Sequence, residues 1–209
     1  MTPRPAIGST LPIIVIAGLL VVTASCGPSR PPRVPAPPVD PESMARAVLQ
    51  LIDTDGDGQL TTAELARVPG LVSALATLDT DGDKRLSAAD ITTWLTGVRD
   101  SKVAVTPVPL KVMHKGKPVA GATLKLVPEP FMSAKMQPAE GTTDASGGVS
   151  PSIPGSRYPG VNCGVYRVEI TGSLPGGKPI PAKYNAATTL GLAVGNGLPA
   201  ETPVTFAID

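Results

Sequence analysis

Apolar side chains recur every three or four residues between residues 40 and 100, the spacing that places them on one face of a helix. Met44, Val48 and Ile52 share such a face. Their segment opens with Asp40, a good helix-capping residue, and Pro41, which suits the first helical position. We predict four short helices in this region. The second helix covers residues 63–68 and is expected to end at Pro69-Gly70. The third carries Leu71, Leu75 and Leu78 on its apolar face, and the fourth carries Ile91, Trp94, Leu95 and Val98.

From residue 103 onward the pattern changes to short stretches rich in β-branched residues, separated by turn residues. Within one stretch Tyr166, Val168 and Ile170 lie on one side. Val165 and Arg167 lie on the other, which predicts a strand with one buried face. The predicted fold class is multidomain α + β, a small helical pair followed by an antiparallel β-sandwich. Its predicted strands are residues 110–114, 122–127, 141–143, 165–171 and 202–208.

Composition limits the classes of function that fit this chain. Of its 209 residues, 25 are Pro and 22 are Gly, which argues against a long-helix protein. The net charge of +1 leaves no basic excess for a phosphate backbone, so no nucleic-acid partner is expected. One histidine and two cysteines leave few residues for a zinc site or a disulfide framework.

Acidic residues are concentrated between residues 40 and 100, where eleven acids and five bases give a net charge of −6. Eight of these acids fall in two twelve-residue windows, 53–64 and 79–90. The first window has carboxylates at positions 1, 3, 5 and 12 and Gly58 at position 6, where the chain must turn sharply. Calcium takes about six to eight oxygen ligands, and this spacing supplies them. The predicted ligands are Asp53, Asp55, Asp57, Gln59 through its carbonyl, Thr61 through its hydroxyl or a water, and Glu64.

The second window keeps the carboxylates but differs from the first at two positions. Lys84 stands where a glycine is expected, and a β-carbon in a left-handed turn costs about 1 kcal/mol. Asp90 replaces Glu at position 12, so its carboxylate reaches less far. Calcium is therefore expected to bind here about tenfold or more weakly than at the first window. The predicted ligands are Asp79, Asp81, Asp83, Arg85, Ser87 and Asp90.

Both windows resemble the calcium-binding loops of the EF-hand family. The resemblance implies a compact pair of hands, more similar to the small pairs of bacterial surface proteins than to sensors of the calmodulin type. It also implies two calcium ions, the first bound more tightly than the second. The other interpretation of each window, an acidic loop in solvent, stays open.

The amino-terminal segment is typical of an exported protein. After Arg4, residues 11–22 form an uncharged apolar run that is too short to span a bilayer as a helix. The following Thr23-Ala24-Ser25-Cys26 resembles the lipobox of bacterial lipoproteins, which implies that Cys26 carries lipid and becomes the first mature residue. An ordinary cleaved signal with an incidental cysteine is the alternative. Gly27 after the cysteine, by resemblance to lipoprotein sorting rules, favours the outer membrane.

A proline-rich spacer follows the predicted lipidation site. Seven prolines among residues 28–41 favour an extended polyproline II conformation. The predicted domains are therefore a signal peptide at 1–25, a linker at 26–39, the helical calcium-binding pair at 40–100 and the sandwich at 103–209.

The second half contains several motifs that recur in one known family. They are Gly116-Lys-Pro-Val-Ala-Gly-Ala-Thr123, Thr142-Thr-Asp-Ala-Ser-Gly147, Gly164-Val-Tyr-Arg-Val-Glu-Ile170 and Ile180-Pro-Ala-Lys-Tyr-Asn185. Together they resemble the carboxypeptidase regulatory-like sandwich, an immunoglobulin-like or transthyretin-like domain found in short lipoproteins of planctomycete-type bacteria. The resemblance implies turn roles for the glycines and Pro118, and a return loop at Tyr184 and Asn185. It implies no catalytic residues.

Candidate catalytic groups are few. His114 lies beside a predicted turn without an orienting carboxylate, so we expect a solvated side chain. Cys163 has no histidine near it in sequence, so we expect a buried one. The function predicted from the sequence is a non-enzymatic, calcium-binding lipoprotein of the cell envelope. Its sandwich would bind or scaffold an envelope protein or glycan. The alternative is an enzyme accessory or weak hydrolase with an unrecognised site in the sandwich.

Overall fold

The described part of the chain combines helices with largely antiparallel sheets, so the fold class is α + β. The computed structural model describes residues 1–3, 35–195 and 203–209. From residue 35 onward the described residues belong to one compact unit. The predicted signal peptide beyond residue 3, the predicted lipidation site Cys26 and the linker as far as residue 34 lie outside the described residues.

Helices occupy the positions that the apolar periodicity predicts. Asp40 caps the first helix, because its carboxylate accepts a hydrogen bond from the Ser43 amide at 3.3 Å. Ser87 caps the fourth and accepts from the Asp90 amide at 3.2 Å. No helix among the described residues combines the length and hydrophobicity needed to cross a bilayer. The α-helices are α1 (Pro41–Ile52), α2 (Thr62–Leu65), α3 (Pro69–Leu78), α4 (Ala88–Ser101) and α5 (Pro130–Ser133), with a 3-10 turn at Ala182–Tyr184.

One helix boundary differs from the prediction. Pro69-Gly70 was expected to end the second helix, but α2 ends at Leu65 and Pro69 is the first residue of α3. The amides of the first helical turn have no partner within the helix, so proline, which has no amide hydrogen, is well suited to the first position. Pro69 therefore begins α3.

The strands form one small pair and two larger sheets. In the first larger sheet the order is β10-β3-β4, with β7 also paired to β3; in the second it is β6-β5-β8-β9. The strands are β1 (Gln59–Leu60), β2 (Leu86–Ser87), β3 (Leu110–His114), β4 (Lys117–Pro118), β5 (Thr123–Pro128), β6 (Ala139–Thr142), β7 (Gly148–Val149), β8 (Gly164–Thr171), β9 (Gly191–Val194) and β10 (Val204–Ile208).

One strand pair departs from the antiparallel arrangement that the sequence predicts. β10 runs parallel to β3, with Val204 opposite Leu110 and Ile208 opposite His114. A parallel pair needs a long connection between its strands, and the chain between His114 and Val204 supplies one. The final strand therefore returns beside the first strand of the same sheet.

Two apolar cores lie on opposite sides of the β6-β5-β8-β9 sheet. Tyr166 and Val168 of β8 belong to the core between the two larger sheets, together with Leu110 and Phe206 from the other sheet. The second core contains the apolar faces of α1, α3 and α4. It is completed by residues from the second half of the chain: Met132, Met136, Cys163, Val165 and Ala193.

The shared core corrects the prediction that β8 buries one face. Val165 is fully buried, because α3 covers the side of the strand that was expected to be exposed. The chain from 40 to 100 and the chain from 103 to 209 are therefore packed against each other through this core, which a linear pattern of apolar residues does not reveal.

Candidate metal centre

The first candidate site is the loop between α1 and α2. Asp53, Asp55 and Asp57 each offer a carboxylate oxygen, and these oxygens lie within 4.8 Å of one another. The chain curls around Asp53, whose two oxygens accept hydrogen bonds from the amides of Gly56 at 2.8 Å and Gly58 at 3.1 Å. These bonds hold the carboxylates at the inside of the turn, where they can face one ion.

The loop between α3 and α4 repeats this arrangement. Asp79, Asp81 and Asp83 bring their oxygens within 4.8 Å of one another. Asp79 accepts from the amides of Gly82 at 2.7 Å and Lys84 at 2.8 Å. Desolvation alone would raise the pKa of Asp79, but these two amide bonds, together with hydrogen bonds involving Asp81 and Asp83, outweigh it and the pKa is lowered. The carboxylate is therefore ionised, as a metal ligand must be.

Position 6 of each loop has the left-handed backbone that the sequence indicates. Gly58 has φ of 78°, and Lys84 adopts nearly the same conformation with φ of 63°. A side chain in this region costs about 1 kcal/mol relative to glycine. The second loop thus keeps the geometry of the first at the expense of backbone strain.

Position 12 lies outside both aspartate groups in this structure. Oε1 of Glu64 accepts from the amide and the hydroxyl of Thr54 at 2.7 and 2.8 Å. Oε2 accepts from the amide and the hydroxyl of Thr61 at 2.9 and 2.8 Å. These bonds, led by the one from the Thr54 amide, lower the pKa of Glu64 to about 2. The charged carboxylate therefore ties the beginning of the loop to its end.

Asp90 holds the corresponding place in the second loop with fewer bonds. It accepts from the Thr80 hydroxyl at 3.3 Å, and from the amide and hydroxyl of Ser87 at 2.9 and 2.6 Å. The longer contact to Thr80 agrees with the shorter side chain of aspartate.

The remaining predicted ligands lie on or directly beside the two strands β1 and β2 that join the loops. Gln59 pairs with Ser87 across β1 and β2, so the two loops are joined by this short strand pair. The hydroxyls of Thr61 and Ser87 take part in helix capping. Arg85 donates its amide to Asp83 at 2.7 Å. Its guanidinium lies 3.3 Å from Asp57 of the other loop.

The candidate catalytic residues occupy structural positions. Cys163 is buried, as predicted, and burial raises the pKa of its thiol. His114 ends β3 opposite Lys117 at the hairpin turn.

Glu129 is a buried charged residue that the sequence patterns did not single out. Only 2% of its surface is exposed, and it accepts a hydrogen bond from the amide of Gly70 at 3.0 Å. Its sequence neighbourhood, between a strand and Pro130, carries no motif that would indicate this contact.

Comparisons of the chain with protein-family models, with curated proteins and with solved structures find no match. The chemistry of the two loops therefore has to be argued from their own residues. Each supplies three aspartate carboxylates in a tightly turned segment, which suits a hard divalent cation.

Proposed function

We propose that this protein is a calcium-binding lipoprotein of the cell envelope. In this proposal an EF-hand pair is followed by an antiparallel, non-catalytic β-sandwich that binds or scaffolds an envelope protein or glycan. The observation that carries it is the repetition of one loop geometry at two places, with the aspartate oxygens grouped each time and the loops joined by β1 and β2.

The donor set fits calcium better than other common metals. The oxygens come from carboxylates and from backbone carbonyls, and the described ligand groups include neither cysteine nor histidine. Oxygen-only sites in a flexible loop favour calcium, whereas zinc prefers nitrogen and sulfur. Two bound calcium ions would offset part of the negative charge of the six aspartates, and Glu64 and Asp90 would complete the shells from their positions at the loop ends.

Calorimetric titration of the full chain tests the metal proposal. We expect two calcium ions to bind, with magnesium competing weakly, because magnesium demands a stricter octahedral shell. A double variant, Asp53→Asn with Asp79→Asn, removes one charge from each site and should weaken both. The matched control replaces Asp144, an exposed aspartate in a turn of the second half, with Asn. No heat of binding at millimolar calcium would contradict the proposal.

Arg85 should tune the first site. Its guanidinium competes with the ion for Asp57, so Arg85→Gln is expected to tighten calcium binding at the first loop by about two- to fivefold at low salt. The gain should disappear at high salt, because both side chains are largely solvated. Calorimetry at two ionic strengths measures it. Arg99→Gln, which breaks an exposed pair within α4, serves as the control, and an unchanged first-site affinity for Arg85→Gln at low salt would refute the competition.

The anchor is tested at Cys26. We expect Cys26→Ser to move the protein from the membrane fraction to the soluble fraction, since serine cannot accept the thioether-linked lipid. Fractionation and intact mass of the mature chain measure the change. Cys163→Ser is the control, because that thiol is buried in the helical core. Membrane retention and a mature mass that do not change in Cys26→Ser would contradict lipidation.

A further inference from the structure

Helix α3, which leads into the second loop, lies with its backbone directly on the β8–β9 edge of the sheet. A β-carbon built on Gly191 would lie 1.9 Å from the carbonyl oxygen of Pro69, and one built on Gly70 would lie 2.9 Å from the amide nitrogen of Tyr166. Both distances are shorter than a β-carbon makes to a neighbouring atom in a folded protein, so only glycine fits at these two positions. The backbone of the first turn of α3 therefore lies against the backbone of the strands, beside the side chain of Val165.

Glu129 fixes the same turn from the sheet side. Val68, at the start of α3, makes no side-chain capping bond. The carboxylate of Glu129 supplies the missing acceptor through its bond from the Gly70 amide, although it is 59 residues away in sequence. Burial raises the pKa of Glu129, while the Gly70 bond and the positive charge of Arg167 on β8 act in the opposite direction. The hydrogen bond from Gly70 thus gives the buried carboxylate of Glu129 a partner and fixes the first turn of α3.

The apolar side of the helical pair is also occupied. Met132, Val165 and Ala193 belong to the same buried core as Leu71 of α3 and Leu95 of α4. In a pair of hands that opens to bind a partner, this apolar side becomes exposed. Here the chain's own sheet covers it.

We infer that α3 is a rigid link between the second metal loop and the β6-β5-β8-β9 sheet, with Glu129 as its positioning residue. Metal binding at the loop therefore stabilises the helices and the sheet as one cooperative unit and does not open the helical pair. This inference rests on the calcium binding proposed above, and it assigns calcium a stabilising role across the whole folded unit.

Hydrogen exchange of the full chain, followed by mass spectrometry, tests the link. At a hundredfold excess of calcium over Kd, a site that binds the folded state alone reduces the open population about a hundredfold. We expect the slowest amides of β5 and β8 to slow by that factor, together with amides of the loops at 53–64 and 79–90. Asp79→Ala should remove the second site's share of the slowing in the sheet, while the first loop still responds.

Two variants of Glu129 separate positioning from a merely structural role. Glu129→Gln keeps an acceptor for the Gly70 amide and should retain the hundredfold slowing of the sheet. Glu129→Ala should keep calcium-dependent slowing in the loops, but the slowing in β5 and β8 should fall below about tenfold. Gly191→Ala should act in the same direction where it folds, because it forces α3 away from β9.

The outcomes distinguish this inference from the proposed function. Calcium protection confined to the loops and helices of the native chain would overturn the link while leaving calcium binding intact. Equal sheet protection in Glu129→Ala and the native chain would overturn the role of Glu129. Absence of protection anywhere, with no heat of binding, would refute the proposed function itself.

Discussion

Replacing Gly191 with alanine should lower the free energy of unfolding by about 3 kcal/mol or more, the upper end of the cost of overpacking. The added β-carbon would lie 1.9 Å from the carbonyl oxygen of Pro69 and 2.5 Å from the amide nitrogen of Gly70. Backbone atoms at the start of a helix cannot move aside as a side-chain tip does, so α3 has to shift away from β9. Urea and thermal unfolding of the full chain measure the loss, expected as a fall of roughly 6 to 12 °C in Tm.

Gly176→Ala is the matched control for this substitution. Gly176 has φ of 97°, and a β-carbon there would meet nothing within 4 Å. It therefore reports the strain of alanine on a left-handed backbone without a clash, about 1 kcal/mol, whereas Gly191 has no left-handed φ and reports the clash. A Gly191→Ala protein no less stable than Gly176→Ala would show that α3 does not rest on β9 as the structure has it.

The second large effect concerns the ranking of the two loops. We expect Asp53→Ala to abolish the tighter phase of calcium binding and Asp79→Ala to abolish the weaker one. The first loop carries four carboxylates and a glycine at its sharp turn. In the second, Lys84 and Arg85 halve the net charge from −4 to −2, and Lys84 holds a left-handed backbone. Calorimetric titration of the two variants measures the assignment.

Two further substitutions probe the reasons for the ranking. Glu64→Gln should remove the tighter site, because the end of the first loop loses its charge. Lys84→Gly should tighten the weaker site by up to about fivefold, because it relieves the strained turn. If Asp79→Ala abolishes the tighter phase and Asp53→Ala does not, the ranking is wrong. Cooperativity between the loops would merge the two phases, in which case the variants alone assign them.

Local features of this protein could be predicted from the sequence with good accuracy. The start of α1 at Pro41 and the buried face of α4, formed by Ile91, Trp94, Leu95 and Val98, follow the expected pattern. The left-handed backbone of Lys84 is likewise where the loop pattern requires it. Each depends on residues within a dozen positions of one another, and capping, periodicity and turn chemistry act over that distance.

Contacts between segments far apart in the sequence could not be predicted in the same way. The burial of Val165, the parallel pairing of β10 with β3 and the bond from Gly70 to Glu129 each join residues far apart in sequence. Successive side chains of a strand point to opposite faces of the sheet, whatever packs against those faces. The sequence of β8 therefore does not indicate that a helix covers its second face.

The sequence by itself thus determined helices α1 to α4, five of the ten described strands and the grouping of carboxylates in two loops, because these depend on short-range geometry. Only the tertiary structure decided that the loops and the sheet share a core. That arrangement depends on the close approach of α3 to β8 and β9 at Gly70 and Gly191. The lack of a side chain at these glycines has an effect only because a segment distant in sequence packs against them. The buried carboxylate of Glu129 has the same origin, since an acid is kept out of water only where folding brings it a donor.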